Sequence, residues 1–226
     1  MIRIAGFSGM AAGIALAVLV LGSFLFIDPN RSYVFGDVIE NVQKAKSVIF
    51  TNKQKIGNQP EFEFIWYIHG DKFRIEMPDV MAQIVDLKQK KGIQLNMVKK
   101  TAKPITVGNN TAKAFANPLE QLYRIKPNAA KKIGRKKLGK SEVDVYRIES
   151  IDLLGLKGKG EMTLWVNPKT QLPVRIKISA NTGFGAKDTD RPFDTHFLLE
   201  NFSWHASLDE SLFRLQIPDG YAKEKK

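Results

Sequence analysis

The chain has 226 residues, 43% hydrophobic and 26% charged, with a formal net charge of +12 at pH 7. It contains no cysteine, which excludes thiol catalysis, a cysteine-ligated metal and a disulfide framework. The basic excess attracts anionic partners at long range and leaves the fold open.

Ile4 to Ile27 is a run of 24 residues without a charged side chain, IAGFSGMAAGIALAVLVLGSFLFI. As a helix rising about 1.5 Å per residue it spans the roughly 30 Å of a bilayer core. A cleaved signal peptide is the competing reading. Its apolar run is usually only about 7–15 residues and ends at a small-x-small site. Here the run ends SFLFIDPN, with bulky residues where small ones are needed. The expectation is a transmembrane anchor over residues 1–30 and one domain over residues 31–226. Arg3 ahead of the run places that domain outside the cytoplasm.

Asp28-Pro29-Asn30 breaks the first segment. FGDVIENVQKAKS then sets Val38, Ile39 and Val42 on one helical face and places Lys44 and Lys46 at the end favoured by the helix dipole. In EFEFIWYIHG the period changes to two, with Phe62, Phe64, Trp66 and Ile68 on one face and Glu61, Glu63, Tyr67 and His69 on the other. A turn at Gly70-Asp71 leads into KFRIEM, with Phe73 and Ile75 inward. The next hairpin has arms at about 81–88 and 92–98, a turn at Lys90-Lys91-Gly92, and Ile93, Leu95 and Met97 on one face. NPLEQLYRIKP predicts a short helix, with Asn117 as N-cap, Pro118 at its first position, Leu119, Leu122 and Ile125 on one side, and Pro127 as its stop.

Strands return at about 131–138, 142–151, 160–167, 172–180 and 194–205. TLWVNPKTQLPVRIKIS is a hairpin with Leu164 and Val166 across from Val174 and Ile176. The predicted fold is α+β: about ten strands in one long antiparallel sheet, with helices on one face.

Several short patterns resemble known chemistry. GRKKLGKS, Gly134 to Ser141, fits the phosphate-loop pattern G-x-x-x-x-G-K-[ST]. A phosphate loop joins a strand to a helix, whereas EVDVYRIESI after Ser141 alternates like a strand, so the segment reads as a hairpin turning at Gly139-Lys140-Ser141. His69, His196 and His205 have no metal-ligand spacing. Asp188, Asp190 and Asp194 fail the calcium-loop positions, which leaves a polar loop. Glu61 and Glu63, about 7 Å apart along a strand, read as a solvated face rather than an acid–base pair. No cofactor, no metal and no catalysis are expected. The basic runs lack exposed stacking aromatics, so nucleic acid is set aside and an anionic membrane surface is the expected electrostatic partner.

The remaining feature is apolar surface. Phe62, Phe64, Trp66, Phe73, Ile75, Leu95, Met97, Leu164, Val174 and Ile176 make more inner sheet surface than two short helices cover, which is a candidate groove for a lipid or an apolar peptide.

The succession AKSVIFT, HGDKFRIEMPD, QIVDLKQKKGIQLNMVKKTA, KLGKSEVDVYRIE, TLWVNPKTQLPVRIKI and SLDESLFRLQIPDGY, over roughly residues 34–221, resembles the outer-membrane lipoprotein-sorting protein family and its membrane-anchored bacterial relatives. Asn167 stands where the family usually has Asp. The resemblance implies an unclosed half-barrel with helices on its concave face and a non-enzymatic role. It also implies a lipid or lipoprotein acyl chain as ligand, or a regulatory sensor role with a membrane partner such as an anti-sigma factor. Together with the apolar run it sets the expected location: single-pass in the inner (cytoplasmic) membrane, with the C-terminal domain periplasmic.

Overall fold

Period-two alternation dominates the chain, and nearly all of it is used in one sheet. The computed structural model describes residues 35–107, 119–152, 156–157, 159–184 and 193–224, which belong to one compact unit, Val34–Lys226. Helix α1, Phe35–Lys44, precedes six strands: β1 Ser47–Ile56, β2 Phe62–His69, β3 Lys72–Met77, β4 Met81–Asp86, β5 Lys91–Asn96 and β6 Thr101–Thr106. Helix α2, Glu120–Arg124, and a 3₁₀ turn, Pro127–Ala129, lead to the second series. That series is β7 Ala130–Leu138, β8 Ser141–Asp152, β9 Leu156–Lys157, β10 Lys159–Val166, β11 Pro173–Phe184 and β12 Phe193–Trp204. A 3₁₀ turn, Glu210–Phe213, and β13, Ala222–Lys223, end the described chain.

The strand order is β13-β6-β5-β4-β3-β2-β1-β12-β11-β10-β8-β7, with β9 beside β11. Two meanders run outward from the centre, one through β1 to β6 and the other from β12 back to β7. They join where β1 pairs antiparallel with β12, with Asn52 opposite Leu199. All neighbours are antiparallel except β13, which runs parallel to β6. The sheet is open among the described residues, with β7 and β13 at its two ends.

Local sequence explains most of these elements. In β2 the face carrying Phe64, Trp66 and Ile68 turns inward, opposite Asn52, Phe50 and Val48 of β1. GRKKLGKS is the β7–β8 hairpin: Gly139 takes φ +60° in the turn, a conformation glycine adopts without a Cβ penalty, and Ser141 begins a strand. Four strands escape the sequence reading: β1, β6 and the two-residue β9 and β13. SVIFTNKQKI of β1 turns polar after Phe50, and TAKPIT of β6 contains Pro104. The β4–β5 turn falls at 87–90, so Lys91 and Gly92 lie inside β5 rather than in the turn.

Both faces of the sheet carry apolar layers. On the first, α1 buries Phe35, Val38, Ile39 and Val42 against Val48, Phe50, Trp66, Ile68, Phe73, Leu164, Ile176 and Leu199. Leu119 and Leu122 join the same layer, and Ile125 packs against it. The second layer is smaller. Ala82, Ile84, Ile93, Leu95 and Ala102 of β4, β5 and β6 are covered by Phe213, with Leu208, Leu212, Leu215, Ile217 and Tyr221 packed around it.

Three expectations change. Leu95 and Met97 belong to this second layer and not to the face of Trp66, because the three-residue β3–β4 turn sets the phase of the next hairpin independently of the first. The helix in NPLEQLYRIKP begins at Glu120, while Asn117 and Pro118, like Asp188 and Asp190, lie outside the described residues. The single-pass inner-membrane placement is corrected. Among the described residues no helix is long and apolar enough to cross a membrane, and Ile4–Ile27, on which that placement rested, lies outside them.

Candidate ligand-binding face

The first face is built around a stack of aromatic rings crossing the middle of the sheet. Phe202 and Trp204 of β12 stack at 5.2 Å with planes 2° apart, and Phe202 stacks on Phe50 of β1 at 5.2 Å. Phe50 then stacks on Trp66 of β2 at 5.9 Å, and Trp66 on Phe73 of β3 at 6.0 Å. Offset contacts of this kind add to the area the rings bury.

The stack depends on an irregularity in β12. The register between β1 and β12 shifts between Ile49 and Thr51, so that Asn201 and Phe202 together face Phe50. Asn201 takes φ 58°, a left-handed conformation that asparagine tolerates better than most residues. Without the bulge the alternation that turns Leu199 inward would send Phe202 and Trp204 to the other face.

A cleft of about 240 Å³ enters this layer at the end of α1. Val42, Val48, Ile68, Phe73, Leu87, Leu119 and Trp204 form its apolar lining, Tyr123 stands at its side, and Lys46 and Asp71 supply charge. A second hollow, about 440 Å³, lies between Lys72, Asp86, Gln89 and the segment Phe213–Gln216. It is larger but none of the stacked rings lines it, so the cleft is the candidate site.

Charge is confined to the margins. Asp144 of β8, 1% exposed, is paired with Lys132 Nζ at 3.0 Å and Arg135 Nε at 3.0 Å. Burial pushes its carboxyl up, but the hydrogen bonds from Lys132 and Arg135 outweigh this and hold it below the ordinary carboxylate range. Beside it, burial and then the Asp144 charge push the Tyr146 hydroxyl up to about 12. Outside the apolar layer, Glu200 accepts from Lys53 at 2.9 Å and Arg175 at 2.9 Å, and the Lys53 hydrogen bond is the leading cause of its lowered pKa. These groups fix strand pairing and do not approach the cleft. Among the described residues no group of three metal-ligating side chains forms.

The ten residues expected to line a groove separate into several places. Trp66, Phe73, Ile75, Leu164 and Ile176 are buried in the first layer, and Phe64 packs against it half-buried. Phe62, at the far end of β2, is 37% exposed, and Val174 is half-buried. Leu95 and Met97 are on the opposite face. Of the ten, Phe73 alone is among the residues lining the cleft. Sequence reasoning missed Leu87, Leu119, Tyr123 and Trp204 there. The helical spacing of Leu119 and Leu122 was the available signal for one of them, whereas the bulge that turns Trp204 inward has no signature in simple alternation.

No protein-family model and no curated protein matches the chain. Its fold is similar to that of several solved structures. LprF from Mycobacterium bovis shares 15% identity over 84% of this chain and 96% of its own, with a TM-score of 0.43. The lipoprotein LppX of Mycobacterium tuberculosis shares 9% identity over 80% and 99%, with a TM-score of 0.42. A LolA superfamily protein, NE2245 from Nitrosomonas europaea, shares 10% identity over 81% and 98%, with a TM-score of 0.27.

Proposed function

We propose that this chain is a non-enzymatic binding protein that holds the acyl chain of a lipid or lipoprotein between α1 and the aromatic face of its half-barrel sheet. The observation that carries the reading is the cleft at the end of α1, which leads from solvent to Phe73 and Trp204 of the aromatic stack. Lipid chains need such a path because transfer of apolar surface out of water is their main source of affinity. The cleft's 240 Å³ is below the roughly 300–1,000 Å³ of typical ligand sites, so the reading assigns it the entry end of the chain. Further room comes from displacement of α1, which is a short, separate element on the sheet.

The test is native mass spectrometry with solvent extraction of the full chain expressed in a bacterial envelope, combined with titration of a fluorescent fatty acid. Near-stoichiometric lipid and saturable uptake are expected, and Ala45→Trp, which fills the cleft, weakens uptake. A folded chain that carries no lipid and takes up no probe overturns the proposal.

A further inference from the structure

Two polar atoms in the apolar layer have no counterpart in the fold. Asn52, 1% exposed, and Trp66, 6% exposed, both point into the face that buries Phe50 and Leu199. Asn52 Oδ1 and Trp66 Nε1 have no hydrogen-bond partner among the described residues. Burying such groups unpaired is destabilising, and most buried polar atoms in native proteins are paired.

The pairing pattern places the two side by side. Asn52 lies opposite Phe64 and Trp66 opposite Phe50, so Asn52 and Trp66 are diagonal neighbours across β1 and β2, about 7–8 Å apart and on one face. Their setting is otherwise hydrocarbon: Asn52 sits between Phe64 and Leu199, and Trp66 between Phe50 and Phe73. The same stack shows that the fold does satisfy an indole elsewhere, since Trp204 Nε1 donates to the Pro173 carbonyl at 2.7 Å. The third such atom, Arg175 Nε, differs, because its guanidinium already donates to Glu200 outside this layer.

We propose that Asn52 and Trp66 recognise the polar group of a bound acyl chain. The indole N–H of Trp66 donates to a carbonyl oxygen, and Asn52 Oδ1 accepts from an adjacent N–H or O–H. The preferred ligand therefore carries a donor and an acceptor together, as a fatty-acid amide does, and an ester with an acceptor alone satisfies only Trp66. This deepens the acyl-chain reading above and rests on it.

The experiment compares two probes of equal chain length on the full chain by calorimetry: N-methyldodecanamide, with donor and acceptor, and methyl dodecanoate, with an acceptor alone. The amide is expected to bind roughly tenfold tighter, the scale of a buried hydrogen bond made against one left unmade. Asn52→Leu is expected to abolish the preference, because it removes the acceptor that reads the N–H. Trp66→Phe keeps the ring stack and weakens both probes. Asn52→Leu is expected to have a higher thermal midpoint than the parent, since an unpaired buried polar group is replaced by an apolar one of similar size. Equal binding of the two probes by the parent chain overturns the recognition pair and leaves the acyl-chain reading standing. Binding of neither probe overturns both. A preference that persists in Asn52→Leu, or a lowered midpoint in Asn52→Leu, overturns the pair alone.

Discussion

Phe50 and Trp66 lie face to face across β1 and β2, their ring centroids 5.9 Å apart and their planes 9° apart. This contact is the middle of the aromatic stack and lies beside the β1–β12 pairing that joins the two meanders. Its strength therefore bears on the cohesion of the whole sheet and on the apolar face.

Phe50→Ala is expected to destabilise the chain by about 3–5 kcal/mol, the range for removing a buried phenylalanine. Phe50 is 0% exposed and touches rings on both sides, so the gap has little opportunity to collapse. Urea unfolding checks this, and a loss well below the expected range would mean that α1 and the sheet relax into the space.

Gly92→Ala tests a close approach of a different kind. A Cβ at Gly92 would lie 2.7 Å from the Ile84 carbonyl oxygen and 2.8 Å from Ile105 Cγ1. The first neighbour is backbone in a paired strand and cannot withdraw without disturbing the β4–β5 ladder. A loss of about 1–3 kcal/mol is expected, as for overpacked sites, and thermal unfolding measures it.

Asp144 makes the stability pH-dependent in acid. Its folded pKa is depressed despite burial, by Lys132 and Arg135, so its contribution is fully present above the ordinary carboxylate pKa. That contribution is lost as pH falls through the ordinary value towards the depressed one. Glu200, lowered chiefly by Lys53, acts with the same sign. Stability measured from neutral pH downward is expected to fall in this window, and Asp144→Asn, already less stable at neutral pH, to fall less steeply there.

Phe213→Ala separates the two faces. Phe213 is 5% exposed at the centre of the second layer, where it covers strands β4 to β6, so a loss of about 3–5 kcal/mol is expected. Hydrogen exchange should rise first in β4, β5 and β6. Acyl-probe affinity, which belongs to the other face, should be unchanged where the variant remains folded.

The sequence by itself determined what depends on neighbours along the chain. Alternation in EFEFIWYIHG and TLWVNPKTQLPVRIKIS identified β2, β10 and β11, and the face of Val38, Ile39 and Val42 identified α1. The strand-like run after Ser141 separated a hairpin from a phosphate loop. These signals are local because side-chain direction within one strand or helix follows from backbone geometry alone.

Only the tertiary structure decided how those faces combine. Leu95 alternates as regularly as Ile75, yet they lie on opposite faces, because turn length and register set the phase between hairpins. The β1–β12 pairing brings together strands from opposite ends of the domain, and the strand-forming value of SVIFTNKQKI appears only once β2 and β12 flank it. The Asn201 bulge then reverses the phase within β12 and turns Phe202 and Trp204 inward. The cleft at the end of α1 is the joint product of these choices. A period-two pattern specifies which residues share a face and leaves open which face that is and what comes to cover it.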